Sequence, residues 1–449
     1  MLTAAAYGPT LRCSRIAKVG TYGSPYMVMS ERMATMSNIK RRQFLKSAAV
    51  SAAVVAVLPT NRVLGANDRV RLGAIGFGAR GQEDMREALK LGNVEFVAAA
   101  DVYKRRHDEA KQLTPDVKVF TDHRRLLDLK EVDAVIVASP LHCHARHFLD
   151  TIAAGKDLYS EKTMTWSIEE AEACRNASRK SDRVVQIGLQ HQSSGPLADT
   201  KQWLKDGMVG KVTHVESWMS RNTPRGKGQW VRPVPSDCTA ANVDWNLFLN
   251  GRQSRSFDPF KFINWRLYWE FSGGNVTENM VHQIGLIMRS LDLPLPTSAY
   301  MSGGVFSEKD GREVPDTIAV TLDFPNDLTV TWQSTFSNSH FGLGERYLGS
   351  HGTIERLAGT TDMVTGKSQT GVWYYPEKVN RPEGAVAEGR TQDVNHMANF
   401  IDCIRSRKEP NAPVEIGYRS AVAAHMANLA YRRTERITLD AVKRGITMA

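Results

Sequence analysis

A chain of 449 residues is too long for one ordinary hydrophobic core and points to two domains with extensions. Its composition is globular, 42% hydrophobic and 24% charged, with no low-complexity tract. The net charge of +10 sits mostly on residues 1–66, where nine Lys/Arg face the single acid Glu31, so that segment is +8 and the remainder +2. No nucleic-acid partner is therefore inferred from charge. The five cysteines, Cys13, Cys143, Cys174, Cys238 and Cys403, form neither a CxxC nor a zinc spacing. An exported chain could hold one disulfide, but nothing in the sequence names its partners.

Residues 1–66 read as a leader. Lys40–Lys46 (KRRQFLK) precedes an apolar Ala/Val-rich run, Ser47–Leu58, with small residues at Gly65 and Ala66. This is the layout of a secretory signal and is too short to span a membrane stably. The paired arginines with Phe-Leu-Lys resemble a twin-arginine signal, which implies the Tat export machinery, a periplasmic or otherwise exported location, and a mature chain starting near Asn67. An uncleaved amphipathic anchor or a basic tail is the alternative. A later start at Met33 or Met36 would account for the unpatterned residues before them.

Residues 67–190 read as a nucleotide-binding domain. The apolar run Leu72–Ile75 enters Gly76-Phe77-Gly78-Ala79-Arg80-Gly81, a helical segment follows, and the apolar run Val94–Ala100 closes on Asp101. The first Gly makes a tight turn, the second admits backbone to a pyrophosphate, and the third lets helix pack on strand. The helix N-terminus then faces the phosphates, and an acid about 20 residues on takes the ribose hydroxyls. Asp101 would repel a 2′-phosphate, which favours NAD over NADP, although Lys104, Arg105 and Arg106 stand nearby. Lys104–Leu113, Thr121–Asp128 and His144–Ala154 read as helices, while Ala134–Ala138, Asp157–Ser160 and Val184–Ile187 read as buried parallel strands. Ser167 caps a further helix. The expected fold class is α/β, a Rossmann-type doubly wound parallel sheet whose ligands sit beyond the strand carboxyl ends, where Gly78, Ser139 and Glu161-Lys162 fall.

In residues 191–400, Leu197–Lys205 reads as helix, and Val212–Met219, Thr297–Val305, Thr317–Phe324, Leu328–Thr335 and Glu345–Leu348 as strands. Asn275–Asp292 has Val276, Met280, Ile284, Ile287, Met288 and Leu291 on one helical face, and Glu278, His282, Gly285 and Arg289 on the other. Trp218, Trp230, Trp245, Trp265 and Trp269 cluster in sequence, which suits a sugar pocket or ordinary packing. His142, His144 and His147 resemble a metal cluster on paper, but straight off a strand end they more often orient loops, so no metal is assigned. Residues 401–449 form a helical C-terminal segment from Asn395–Arg405 and Gly417–Arg432 onward.

Several landmarks resemble the Gfo/Idh/MocA family of sugar and inositol oxidoreductases. They are Ser139-Pro140-Leu-His-Cys-His144-Ala, Glu161-Lys162-Thr163, Val185-Gln-Ile-Gly188, Lys205–Lys211, Trp265-Arg266 with Gly273-Gly274, Asn399–Asp402 and Glu415–Tyr431. The resemblance implies a second, α+β domain on a large, mostly antiparallel open sheet that commonly serves homo-oligomers. It implies a C-terminal helix packing back near the first domain. It also implies NAD contacts from Gly76 to Gly81 (Phe77, Ala79 and Arg80 included), Asp101, Ser139, Pro140, His144, Glu161 and Lys162. Lys162, Glu278 and His282 are the implied catalytic residues, and these three with Arg266 would hold the substrate. Two departures stand out: Thr163 replaces the usual proline, which would hold Lys162 less firmly, and Gln192 lies near a usual arginine.

The implied reaction is NAD-dependent oxidation of a CH–OH group on a sugar, sugar derivative or cyclitol. His282 would act as base, Lys162 would orient the hydroxyl, and Glu278 would hold His282 or neighbouring hydroxyls. Export argues for a tightly bound cofactor. The alternatives are glycosidase-type oxidation, elimination and re-reduction, or a non-catalytic sugar-binding relative.

Overall fold

The computed structural model describes residues 69–222, 228–361 and 368–443, which fold around two sheets. Residues 1–66, where the export signal is expected and Cys13 lies, fall outside the described residues. The first apolar runs become β1 (Val70–Ile75), β2 (Val94–Ala100), β3 (Lys118–Phe120), β4 (Ala134–Val137), β5 (Asp157–Ser160) and β6 (Val185–Ile187). They form one parallel sheet in the order β3-β2-β1-β4-β5-β6. Burial of every β4 residue explains its unbroken apolar run. The crossovers are α1 (Ala79–Leu89), α2 (Lys104–Leu113), α3 (His123–Leu127), α4 (His144–Ala153) and α5 (Ile168–Arg179). Helix α3 starts two residues later than the sequence suggests because the Asp122 side chain accepts from Arg124 N and caps it. Ser167 and Glu170 form a reciprocal capping box at α5.

The second half contains α6 (Gly195–Lys205), β7 (Val212–Ser220), α7 (Trp245–Leu249) and α8 (Pro259–Ile263). A π turn, Val276–Met280, then runs into α9 (Val281–Ser290). The strands β8 (Ser298–Gly304), β9 (Thr317–Phe324), β10 (Leu328–Thr335), β11 (Leu343–Gly349), β12 (Gly352–Thr361), β13 (Ser368–Pro376) and β14 (Ala387–Glu388) follow. The helices α10 (His396–Ser406) and α11 (Val414–Arg433), β15 (Ile437–Thr438) and α12 (Leu439–Lys443) complete the described chain. The second sheet has nine strands in the order β14-β13-β12-β11-β7-β10-β9-β8-β15, antiparallel apart from the β7–β10 pair.

Helix α9 lies between this sheet and α11, so it is buried almost all round, including most of the face that carries His282 and Gly285. Gln283 fixes its height over the sheet. Its Nε2 donates to Trp218 O, Gly344 O and Glu345 Oε1, and its Oε1 accepts from Trp332 Nε1. Helix α10 returns to the first sheet, where Phe400 and Ile401 join a core with Leu72 and Ala74.

Three readings that the sequence left open take definite form. The five tryptophans do not line one pocket: Trp245 stacks on Phe248, Trp230 packs on Phe336, Trp269 packs on Tyr431, Trp218 lies on the open sheet face, and Trp265 lines the cleft described below. The histidines of the β4–α4 corner are loop ties: His142 Nε2 donates to Phe248 O, and His147 Nδ1 meets Ser139 Oγ at 2.9 Å. Cys143, Cys174, Cys238 and Cys403 are buried free thiols.

Burial pushes His142 down to about 3 and His191, His396 and His425 down to about 4. These rings are neutral when folded and take up protons near pH 6.5 when unfolded. Their contribution to stability is therefore complete above about pH 6.5 and is lost as pH falls toward about 4, by up to about 1.4 kcal/mol per pH unit for each ring. Thermal unfolding midpoints should drop steadily between about pH 7 and pH 5. An unchanged midpoint across that range would contradict the neutral assignment.

Candidate functional site

The glycine loop closes β1 onto α1 through contacts that tolerate no side chain at two positions. Gly76 has φ +82°, and a Cβ there would lie 2.6 Å from Ser139 N. At Gly81 a Cβ would lie 2.2 Å from Gly76 O. Gly78 is different: a Cβ there meets no protein atom within 4 Å, and the residue faces a cleft. The first turn of α1 has no side-chain cap, which leaves its N–H groups for anionic oxygens. The loop therefore fits a dinucleotide pyrophosphate.

The cleft has two lobes of about 200 and 340 Å³ that share Gly76, Asp101, Ser139 and Pro140. The Asp101 carboxylate accepts from Phe77 N at 2.8 Å and Tyr103 N at 2.9 Å, which ties the end of β2 to the glycine loop. Each oxygen keeps a further lone pair for a ribose hydroxyl. The three nearby cations are committed elsewhere: Lys104 Nζ donates to Ala241 O, Arg105 pairs with Asp237, and Arg106 pairs with Glu109.

Several residues expected to touch a cofactor do other work. The Phe77 ring is fully buried against Phe96, so only its backbone serves the loop. His144 is buried, with its ring nitrogens 2.7 Å from Thr163 O and Ser139 O, and it binds two loops together instead of facing the cleft. The Glu161 carboxylate is held by Arg80 Nε, Gln190 Nε2 and Lys162 N. Arg80, which lines the larger lobe, also pairs with Glu83 and Asp84. Ala79 lines the same lobe.

Lys162, Glu278 and Arg266 meet at one point. Lys162 Nζ lies 3.0 Å from Glu278 Oε2 and 2.9 Å from Glu278 O, and Arg266 Nε lies 3.1 Å from the same Oε2. Burial would raise the Glu278 pKa, but Lys162 and Arg266 overcome it and hold the carboxyl at about 2. Glu278 thus holds Lys162; of its two expected roles, holding His282 or neighbouring hydroxyls, the first does not form, since a π turn interrupts the plain i, i+4 register between the two residues. Nor is Lys162 loosely held. Thr163 Oγ1 donates to Thr277 O, and Thr163 O lies 2.7 Å from His144 Nδ1.

His282 Nδ1 is buried with no hydrogen-bond partner among the described residues. Burial, then the charges of His191 and Lys162, push its pKa well below the usual 6.5. The His191 ring lies 5.3 Å away, and its Nδ1 is unpartnered too. Gln192 is buried beside Gly285 with neither amide atom paired among the described residues. His191 was missed in the sequence, since a 3-10 turn, Gln190–Ser193, carries no periodic signal.

A Rossmann-type sheet whose β5 end brings Lys162 to Glu278 and His282, on the π turn and helix of a second domain with a mostly antiparallel sheet, is the architecture of a nicotinamide-dependent oxidoreductase fold. The chain belongs to the Gfo/Idh/MocA family. Residues 70–189 match its profile for the oxidoreductase family NAD-binding Rossmann fold, and residues 247–439 its profile for the oxidoreductase family C-terminal alpha/beta domain. Inositol 2-dehydrogenase of Agrobacterium fabrum is 30% identical over 168 residues, 37% of this chain and 49% of the relative. Alpha-N-acetylgalactosaminidase of Shewanella oneidensis is 26% identical over 233 residues, 43% of this chain and 50% of the relative. The chain thus spans about half the length of these curated relatives. The WlbA dehydrogenase from Bordetella pertussis, solved with NADH and UDP-GlcNAcA, shares the fold with a TM-score of 0.61 at 18% identity, over 83% of this chain and 99% of that one.

Proposed function

We propose that this protein is an NAD-dependent oxidoreductase that acts on a CH–OH group of a sugar, sugar derivative or cyclitol. The observation that carries this is the Lys162–Glu278 pair beside the unpartnered, neutral His282, close to a glycine loop that fits a dinucleotide. A bound nicotinamide supplies the hydride acceptor. Lys162 Nζ spends two of its three N–H donors on Glu278 and keeps one for the substrate hydroxyl oxygen, where charge develops. His282, neutral at ordinary pH, receives the hydroxyl proton on a ring nitrogen. Glu278 stays ionised and fixes the direction of Lys162 and Arg266.

NAD is favoured over NADP because Asp101 lines the cleft beside the glycine loop, Lys104 and Arg105 are bonded to Ala241 and Asp237, and Arg106, which lines the same lobe, has its charge balanced by Glu109. The leader supports Tat export to the periplasm with the cofactor tightly bound, and among the described residues no helix is long and apolar enough to cross a membrane. Phe306 and Phe341, exposed on the open face of the second sheet, support a homo-oligomer. The similarity to a glycosidase relative favours a second reading, in which oxidation and re-reduction flank an elimination on one glycoside, using the same Lys162 and His282.

The test is a panel of polyols, aldoses and glycosides followed by nicotinamide absorbance and by product analysis. His282→Ala should lower turnover about a hundredfold or more on the substrate found, with dinucleotide content unchanged. Undiminished turnover in that variant would remove His282 from the mechanism, and no reaction across the panel would overturn the proposal.

A further inference from the structure

Between β7 and the π turn the chain leaves the second sheet, and residues 228–271 build an aromatic unit of their own. Trp245, Phe248, Phe262, Leu267 and Phe271 pack together with Tyr103, which comes from the end of β2. Phe248 is locked from several sides, stacked on Trp245 at 5.0 Å and edge-on to Phe262 and Phe271. The first half of this unit, residues 228–246, lies between the two stretches that match the family.

The unit is fastened on both banks of the cleft. On the β2 bank, Tyr103 and Val243 form a β-bridge, Lys104 N donates to Asn242 O at 2.9 Å, and Asp244 N donates to Val102 O at 2.8 Å. On the β4 bank, His142 Nε2 donates to Phe248 O at 2.6 Å and Asn250 Nδ2 donates to His142 O at 2.9 Å. Between the fastenings, Leu247, Phe248 and Asn250 line the smaller lobe, while Phe248, Phe262 and Trp265 line the larger. The cover therefore crosses the ends of the two strands that flank the position of the adenosine half of a dinucleotide.

We infer that residues 228–271 complete the dinucleotide site and retain the cofactor, whose adenosine half leaves only when the cover parts from the β2 and β4 loops. This rests on the dinucleotide reading above. It makes the nicotinamide a resident group: the hydride taken from one CH–OH substrate passes to the carbonyl carbon of a second, ketone or aldehyde, substrate, which gains a proton and leaves as an alcohol, so NAD is restored without exchange with free cofactor.

Two substitutions loosen one bank each with little cost to the fold. Lys104 is the first residue of α2, a position where proline is tolerated, so Lys104→Pro removes the donor to Asn242 O and the side-chain bond to Ala241 O. Asn250 has φ 49°, so Asn250→Gly keeps the left-handed backbone and deletes the bond to His142 O. Holoprotein loaded with NADH is diluted into excess NAD, and the loss of bound-NADH fluorescence gives the release rate, with thermal midpoints measured alongside. Each variant should release NADH about fivefold faster than the parent, and the double variant about twenty-five-fold faster. Dinucleotide binding with release rates unchanged in folded variants overturns the cover alone. Failure to bind any dinucleotide overturns both the cover and the proposed function.

Discussion

Replacing Lys162 with alanine should lower turnover about a thousandfold, far more than it lowers the bound dinucleotide. The loss has two parts. The donor to the substrate oxygen disappears, and the buried Glu278, which accepts from Lys162 and Arg266, keeps only Arg266 as a hydrogen-bonded counter-charge. Lys162→Arg should not restore the rate, because a planar guanidinium cannot reproduce the ammonium contacts to both Glu278 O and Oε2. Steady-state rates with cofactor content measured on the same preparations decide it. Near-parental turnover in Lys162→Ala would show that the reacting hydroxyl lies elsewhere.

Gly78→Val should weaken dinucleotide affinity at least about a hundredfold while the protein folds normally. The backbone at Gly78 has φ −68° and ψ −171°, which any residue adopts, and no protein atom lies within 4 Å of a Cβ there. The added side chain would occupy only the space reserved for the pyrophosphate. Gly81→Ala is the contrasting variant: its Cβ would lie 2.2 Å from Gly76 O, so it should lower the thermal midpoint as well as affinity. Titration with NADH beside thermal unfolding separates the two, and unchanged affinity in Gly78→Val would place the pyrophosphate away from this loop.

The first sheet was legible because its strands are buried on both faces and its glycines, caps and acid stand at fixed spacing. Asp157–Ser160 and Lys104–Leu113 are where the pattern places them. The outer strands β12 to β14 were not legible. Glu345 of β11 and Arg356 of β12 face each other as a buried ion pair, so charges occupy core positions and alternation fails. The five-residue helices α7 and α8 are too short for a helical period to show. At the site, Lys162, Glu278 and Arg266, singled out by the family landmarks, meet through hydrogen bonds, and His282 follows one helical turn after Glu278. What they could not carry is who pairs with whom: that depends on the π turn under Glu278, on Thr163 tying its loop to Thr277, and on His191 arriving from a separate turn.

The most direct measurement is to denature purified, untreated protein and determine the mass and absorbance of whatever small molecule is released. The proposed function and the cover over the cleft predict near-stoichiometric NAD or NADH. Release of no dinucleotide, from a protein that also fails to take up NADH, would contradict both, and a 2′-phosphorylated dinucleotide would contradict the role given to Asp101.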